Sequence, residues 1–199
     1  MKKNEWSHDD IYLQEVPIDK SNLRMLFDYA YIDFPFLKDT FPSKIVKSAI
    51  KKGVLHPVYL TNGSEVYGYA LYQNVPELKC IHVLFLAILP PHRSSGLGSI
   101  LLERLKQLSG NGLILEVEDP ETTDSDEELS IRTRRIHFYE RNGFHLIPDV
   151  KLSHFGYAIQ VMTDFNHPNQ DWLLFHRKLY NRVYRIYGVS LSTFSLKKR

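Results

Sequence analysis

Cysteine is nearly missing from this chain of 199 residues, which contains only Cys80. One thiol cannot form a disulfide within the chain, and a zinc site built on cysteines needs more ligands. Because disulfides are typical of oxidising compartments, the sequence predicts a cytoplasmic protein. We also expect no metal site.

Long hydrophobic runs and a strong net charge are missing too. The longest apolar run, Val83 to Leu89, has seven residues, whereas a transmembrane helix needs about 20. The first ten residues are charged without an apolar stretch, so a secretory signal is not expected. The formal net charge is only +2, and a folded nucleic-acid binder usually has a concentrated basic face. We expect neither a membrane nor a nucleic acid as partner.

Hydrophobic periodicity predicts the element order β-α-α-β-β-β-α-β-α-β-β-α. Asn62-Gly63 is a strong hairpin signal, and the strand-helix-strand unit around residues 80–117 implies one parallel pair. We therefore predict an α/β fold: a mixed, mostly antiparallel sheet of about seven strands, flanked by helices. Residues 1–165 would form this domain. Residues 166–199 would form a helical extension packed on the domain or on a partner.

The segment from Arg93 to Ser99 follows an apolar strand and begins a helix. Helix-initial amides lack intrahelical partners, the helix dipole favours anions, and Gly96 and Gly98 allow close approach. The segment therefore predicts a diphosphate site, although the glycines could merely shape a turn. A P-loop lysine and a complete GxGxxG pattern are both missing. The residues of this predicted cradle are Arg93, Ser94, Ser95, Gly96, Leu97, Gly98 and Ser99.

Two stretches carry a resemblance to a known family. One is LFLAILPPHRSSGLGSILLERL, which resembles the acetyl-CoA motif of the GNAT N-acetyltransferase superfamily. The other is RRIHFYERNGF, which is similar to that family's second signature, a helix that carries a tyrosine before Gly-Phe. The resemblance covers roughly residues 11–163. It implies direct transfer of an acetyl group from acetyl-CoA to a primary amine, on a small molecule or a protein, within a ternary complex.

The resemblance also implies roles for single residues. The main chain of Ala87, Ile88 and Leu89 would hold the pantetheine arm and the thioester carbonyl, and the cradle would hold the diphosphate. Tyr139 would give a proton to the departing CoA thiolate, since phenol and thiol pKa values of ~10 and ~8.5 allow that transfer. The alternative for Tyr139 is simple packing against the sheet.

A base must take a proton from the amine, because alkyl amines titrate near ~10. Glu116 and Glu118 follow the cradle helix and share one face of a strand. We predict Glu116 as the base and place Glu118 with the substrate. His82 is a second candidate, although it could equally be a core histidine with satisfied hydrogen bonds.

Arg132 and Arg135 depart from the family pattern, in which asparagine and a small residue are common at these positions. Arg135 could pair with Glu116 or Glu118 and shape the acceptor pocket, or it could contact phosphate or lie at the surface. The aromatic segment from Tyr29 to Phe41 and the acidic residues 119–127 could also influence acceptor choice. Core packing and solvation are their simpler explanations.

Helical spacing near the C-terminus predicts an apolar stripe that includes Trp172, Phe175 and Leu179, with His176 on the polar side. This helix could pack on its own domain, form a homodimer or bind an anionic surface. Two alternatives to catalysis remain open. One is a non-catalytic acyl-CoA-binding or regulatory module, and the other is a nucleic-acid adaptor that uses the basic C-terminal helix.

Overall fold

The structure is a computed structural model that describes residues 10–35, 37, 43–154, 156–166, 170–188 and 197–198. Parts of the predicted aromatic segment, at positions 36 and 38–41, lie outside these residues, as does Arg199. Within the described residues, none of the helices has the length and apolar character needed to cross a bilayer.

Strands and helices follow one another in the predicted order. The strands are β1 (Tyr12–Glu15), β2 (His56–Thr61), β3 (Val66–Val75), β4 (Cys80–Ile88), β5 (Leu113–Glu118), β6 (His145–His154), β7 (Tyr157–Thr163) and β8 (Lys197–Lys198). The helices are α1 (Lys20–Asp33), α2 (Ser43–Lys51), α3 (Leu97–Leu108), α4 (Asp126–Arg141) and α5 (Trp172–Tyr184).

All described strands belong to one sheet, in the order β1-β2-β3-β4-β5-β7-β6-β8. Among its described pairs only β4 and β5 run parallel, because α3 returns the chain between them. This confirms the predicted mixed, mostly antiparallel α/β fold. The two-residue strand β8, which pairs with β6, was not predicted.

A bulge in β4 determines the shape of the sheet centre. Leu71 pairs with Phe85 and Tyr72 with Val83, so Leu84 has no partner in β3. Because side chains alternate along a strand, one extra residue reverses the faces that follow it. Leu84 and Phe85 consequently both contact the core cluster on one face of the sheet.

A gap between β4 and β5 opens just after this bulge. The two strands pair only from Ile81 to Val83 on β4 and from Leu113 to Leu115 on β5. β4 nevertheless continues to Ile88 and β5 to Glu118. Beyond Val83 the two strands therefore separate within an otherwise continuous sheet.

Helices cover both faces of the sheet and divide the core into two clusters. Helices α3 and α4 pack on one face, where Leu101 and Ile136 are buried. Helices α1, α2 and α5 pack on the other, where Leu26, Ile50 and Leu179 are buried. α4 begins at Asp126, because the hydroxyl of Ser125 caps the helix by accepting from the Glu128 N–H at 3.3 Å.

Helix α5 contributes a broad apolar face to the second cluster. The predicted stripe is present, with Trp172, Phe175, Leu179 and Val183 all buried. The placement of His176 on the polar side was wrong, because this residue is 0% exposed. It lies one position after Phe175, inside a buried arc that is wider than the predicted stripe.

Candidate active site

A pocket occupies the gap between β4 and β5. The two strands line it with Leu84, Phe85, Glu116, Val117 and Glu118. The remaining walls come from other parts of the chain: Phe34, Leu37, Arg135, His154, Tyr157, Ile159 and Tyr180. The pocket is therefore mostly apolar, with charged groups at its β5 side.

The backbone groups at the end of β4 face β3 and the gap alternately. The N–H of Leu89 donates to the carbonyl of Tyr67 at 2.8 Å. Since backbone groups alternate along an antiparallel pair, those of Ala87 also point toward β3 and those of Ile88 toward the gap. Of the three residues predicted to hold pantetheine, only Ile88 offers its main chain there.

The predicted cradle lies at the start of α3, next to the end of β4. Gly96 caps this helix with φ of +86°, a backbone conformation that favours glycine. A Cβ at Gly96 would meet no atom within 4 Å, whereas one at Gly98 would lie 3.0 Å from the Phe138 ring. The amides of Leu97 and Gly98 belong to the first turn and lack intrahelical partners. Gly96 therefore leaves the approach to these amides open, and Gly98 permits contact between α3 and α4.

Arg93 links the cradle to α1. Its guanidinium forms an ion pair with Asp33, and its Nε donates to the carbonyl of Ile88 at 3.0 Å. The other carboxylate oxygen of Asp33 accepts from the Tyr69 hydroxyl at 2.6 Å. Burial, followed by the effect of Asp33, raises the pKa of Tyr69. Arg93 is therefore held at the edge of the gap.

Tyr139 lies on α4, among aromatic side chains. It is 8% exposed, and its ring centroid lies 5.3 Å from that of Phe138 and 5.9 Å from that of Phe144. Burial raises the pKa of Tyr139 to about 12, with the charge of Arg135 opposing the shift and that of Glu118 adding to it. Its phenol therefore keeps its proton at neutral pH and remains a possible donor.

Glu118 and Arg135 form an ion pair at the mouth of the pocket. Of the partners considered for Arg135, the structure thus shows Glu118. Arg132, three residues earlier on α4, has a different environment. Its Nη1 donates to the Asp119 carbonyl at 3.0 Å and lies 3.3 Å from the Thr122 hydroxyl. Arg132 therefore anchors the turn after β5.

Glu116 belongs to a buried polar cluster. Its Oε1 lies 3.0 Å from Nε2 of His82 and 3.3 Å from Nε2 of His176. Its Oε2 accepts from the Tyr180 hydroxyl at 2.6 Å. On the other side of the His82 ring, Nδ1 lies 3.1 Å from Nε2 of Gln73. His82 thus matches the alternative of a core histidine with satisfied hydrogen bonds.

These partners make Glu116 a weak base. Burial by itself would raise the pKa of its carboxyl, but the hydrogen bond from His82 and the charges of His82, His176 and His154 lower it to about 2. A carboxylate with so low a pKa takes a proton from an ammonium group poorly. Glu116 and Glu118 share a face, as expected, yet their electrostatic environments differ.

Sequence reasoning missed the residues that α5 and β6 bring to this pocket. Tyr180 and His154 line it, and their ring centroids lie 4.0 Å apart. His176 contacts Glu116 from the same helix as Tyr180. Helical periodicity could have indicated the burial of Tyr180, but no spacing rule links α5 to β5.

Comparison with known proteins supports the resemblance. Residues 55–146 match the family model described as the acetyltransferase (GNAT) domain. This range contains the bulge, the cradle and Tyr139, but not α1 or α5. No curated protein matches the chain.

Several solved structures share the fold. A protein from Bacteroides thetaiotaomicron described as a GNAT-family acetyltransferase has 22% identity and a TM-score of 0.69, covering 89% of this chain and 99% of its own. A Bacillus subtilis acetyltransferase solved with CoA has 11% identity and a TM-score of 0.53, with 79% and 99% covered. An aminoglycoside 6'-N-acetyltransferase complexed with coenzyme A has 14% identity and a TM-score of 0.58, with 79% and 99% covered. At these identities the likeness establishes the fold.

Residues 55–146 therefore form a GNAT acetyltransferase domain, and the chain as a whole has the GNAT fold. The matched domain is thus of the acetyltransferase type, and it holds the strand bulge, the predicted cradle and Tyr139.

Proposed function

We propose that this protein transfers an acetyl group from acetyl-CoA to a primary amine by direct transfer in a ternary complex. One observation carries the proposal. The gap between β4 and β5 lies beside the start of α3, where the predicted cradle is, and it contains a mostly apolar pocket that two carboxylates of β5 line. A thioester that lies in this gap would meet an acceptor that enters from the pocket.

The donor side would use main-chain groups and one side chain. The amides at the start of α3 would hold the diphosphate, and the Ile88 main chain would hold the pantetheine arm. Amides at the gap would stabilise the negative charge that develops on the thioester oxygen. Tyr139, protonated at neutral pH, would supply the proton for the CoA thiolate. The solved neighbours described as CoA complexes support this choice of donor.

The acceptor side favours an amine attached to an apolar body. Leu84, Phe85 and Ile159 provide apolar walls, while Glu116 and Glu118 supply negative charge at β5. Arg135 offsets the charge of Glu118. The choice of Glu116 as the base stays a prediction, and its low pKa favours a role in attracting the ammonium group over deprotonating it.

The alternative of a non-catalytic acyl-CoA-binding module has one observation in its favour. Both pocket carboxylates on β5 already have partners, Glu116 with two histidines and Tyr180, and Glu118 with Arg135. A module of this kind would bind acetyl-CoA without releasing CoA when amines are added. The division at residue 165, a homodimer and a cytoplasmic location stay predictions.

Thermal unfolding with and without acetyl-CoA tests the cofactor site. A ligand that binds only the folded state raises the melting temperature by mass action. We expect this rise in the wild type and its loss in Gly96→Glu, which adds negative charge at the cradle.

Gly53→Glu is the matched control for this experiment. Gly53 has φ of +69°, and a Cβ there would also meet no atom within 4 Å. Both variants therefore carry a similar backbone cost of about 1–2 kcal/mol, but only Gly96 lies at the cradle. An equal rise in all three proteins would place acetyl-CoA elsewhere. A screen of aliphatic and aromatic primary amines then measures the release of the CoA thiol from acetyl-CoA. An enzyme would release the thiol with at least one amine, whereas a binding module would not.

A further inference from the structure

Three potential metal ligands from three separate elements meet next to the pocket, at the Glu116 side chain that lines it. His82 comes from β4, Glu116 from β5 and His176 from α5, and one ligand atom of each lies within 4.8 Å of the other two. We propose that these three side chains bind one divalent transition-metal ion, with Zn²⁺ as the ion to test first.

The distances between the ligand atoms suit such an ion. Zinc lies about 2.0–2.2 Å from imidazole nitrogens and carboxylate oxygens, so tetrahedral ligand atoms are separated by about 3.3 Å. The Glu116 Oε1 is 3.0 Å from Nε2 of His82 and 3.3 Å from Nε2 of His176. Two imidazoles and one carboxylate are a frequent ligand set for zinc and iron.

Further contacts orient each ligand toward a common point. Nδ1 of His176 lies 2.8 Å from the Trp172 carbonyl, so this nitrogen carries the proton and Nε2 presents its lone pair to Glu116. Nε2 of His176 is buried and, within the described part of the chain, has no hydrogen-bond partner. The Tyr180 hydroxyl holds the second carboxylate oxygen.

Gln73 can orient His82 in the same manner. Its Oε1 is buried without a hydrogen-bond partner among the described residues, while its Nε2 faces Nδ1 of His82. Rotation of the amide by half a turn would let Oε1 accept from a protonated Nδ1. Both imidazoles would then direct an unprotonated Nε2 at the ion, as metal ligands require.

Among the residues that the structure describes, the site reaches the pocket at the Glu116 side chain. Both histidine side chains are 0% exposed, whereas the Glu116 side chain is 12% exposed and lines the pocket. Three protein ligands leave a four-coordinate ion with one open position. The ion would fasten α5 to the sheet and expose that position on the Glu116 side, toward the pocket.

This inference departs from the sequence expectation of no metal and does not depend on acetyl transfer. It has one consequence for the proposed function, because coordination would remove Glu116 from the candidate bases and leave Glu118. Metal binding is measured without acetyl-CoA, so a negative result for either proposal leaves the other standing.

Cobalt binding to the chelator-treated, full-length protein without a purification tag tests the site. We expect one equivalent of Co²⁺ to give the visible absorption of a low-symmetry, four- or five-coordinate ion, and one equivalent of Zn²⁺ to abolish it. Zn²⁺ should also raise the melting temperature. A wild-type protein without stoichiometric binding overturns the proposal.

Three variants decide whether the predicted residues are the ligands. His176→Gln should weaken Co²⁺ binding by more than about 100-fold, and Tyr180→Phe by about 10–100-fold, as for groups that orient a ligand. His145→Gln changes an exposed histidine on β6 and should bind as the wild type does. Circular dichroism confirms that each variant is folded. Unchanged binding by folded His176→Gln overturns the assignment, as does equal loss in His145→Gln.

Discussion

At the scale of single residues, Tyr139 owes its properties to burial. The aromatic rings around it and its position on α4 keep the phenol protonated, with its pKa at about 12. The contacts that hold its side chain are those of its ring with Phe138 and Phe144. Removing that hydroxyl should therefore affect chemistry far more than folding.

Tyr139→Phe should lower kcat by about 100-fold or more, the usual contribution of a positioned proton donor. We expect KM for acetyl-CoA and the melting temperature to change little. Steady-state kinetics with the amine found by the screen measures the effect. Tyr59→Phe is the control, because the Tyr59 hydroxyl contacts the Asn22 carbonyl at 3.4 Å, on a strand away from the gap. A Tyr139→Phe enzyme with wild-type kcat would show that the proton comes from another group.

At the scale of secondary-structure elements, β4 and α5 shape the site together. The bulge at Leu84 places two consecutive side chains in the pocket and precedes the gap. α5 lies outside the matched family range, yet it supplies Tyr180 and His176 to the Glu116 cluster. The helix is therefore expected to belong to the cooperative folding unit.

A pair of leucines on α5 tests that expectation. Leu179 is 0% exposed and lies in the core cluster, whereas Leu174 is 48% exposed. Leu179→Ala should lower the free energy of unfolding by about 2–5 kcal/mol, and Leu174→Ala should stay within about 0.5 kcal/mol of the wild type. Urea unfolding measures both. Equal, small effects would mean that α5 unfolds separately from the sheet.

At the scale of the whole molecule, buried tyrosines limit stability in alkali. Burial raises the pKa of Tyr59 to about 12, with smaller contributions from nearby charges. Burial also raises the pKa of Tyr139 to about 12, against the opposing charge of Arg135, and it raises the pKa of Tyr184. In the unfolded chain these phenols titrate near ~10. The unfolded state therefore loses protons first as the pH rises through this interval, and folding becomes less favourable.

These tyrosines should therefore contribute a constant amount to the free energy of unfolding below about pH 10. Their contribution should fall between about pH 10 and pH 12. Urea midpoints across this range, together with tyrosinate absorbance, measure the effect. Tyr139→Phe should make the fall shallower. Full tyrosinate absorbance near pH 10 in a protein that remains folded would contradict the burial of these phenols.

The sequence by itself determined the element order, the mixed sheet and the turn at Gly96 that begins α3. These features rest on local signals, such as the apolar run of β4, the Gly96 turn and the Ser125 cap, which act over a few residues. They could therefore be predicted without knowledge of any long-range contact.

Only the tertiary structure decided which side chains meet at the pocket. The bulge at Leu84 depends on pairing with β3 and leaves no mark in the spacing of β4. Glu116 and Glu118 look equivalent in sequence, but one contacts two histidines and the other pairs with Arg135. The reason is physical, because β5 has different neighbouring elements along its length. Arg135 is 17 positions from Glu118 in the sequence, and Tyr180 is 64 positions from Glu116.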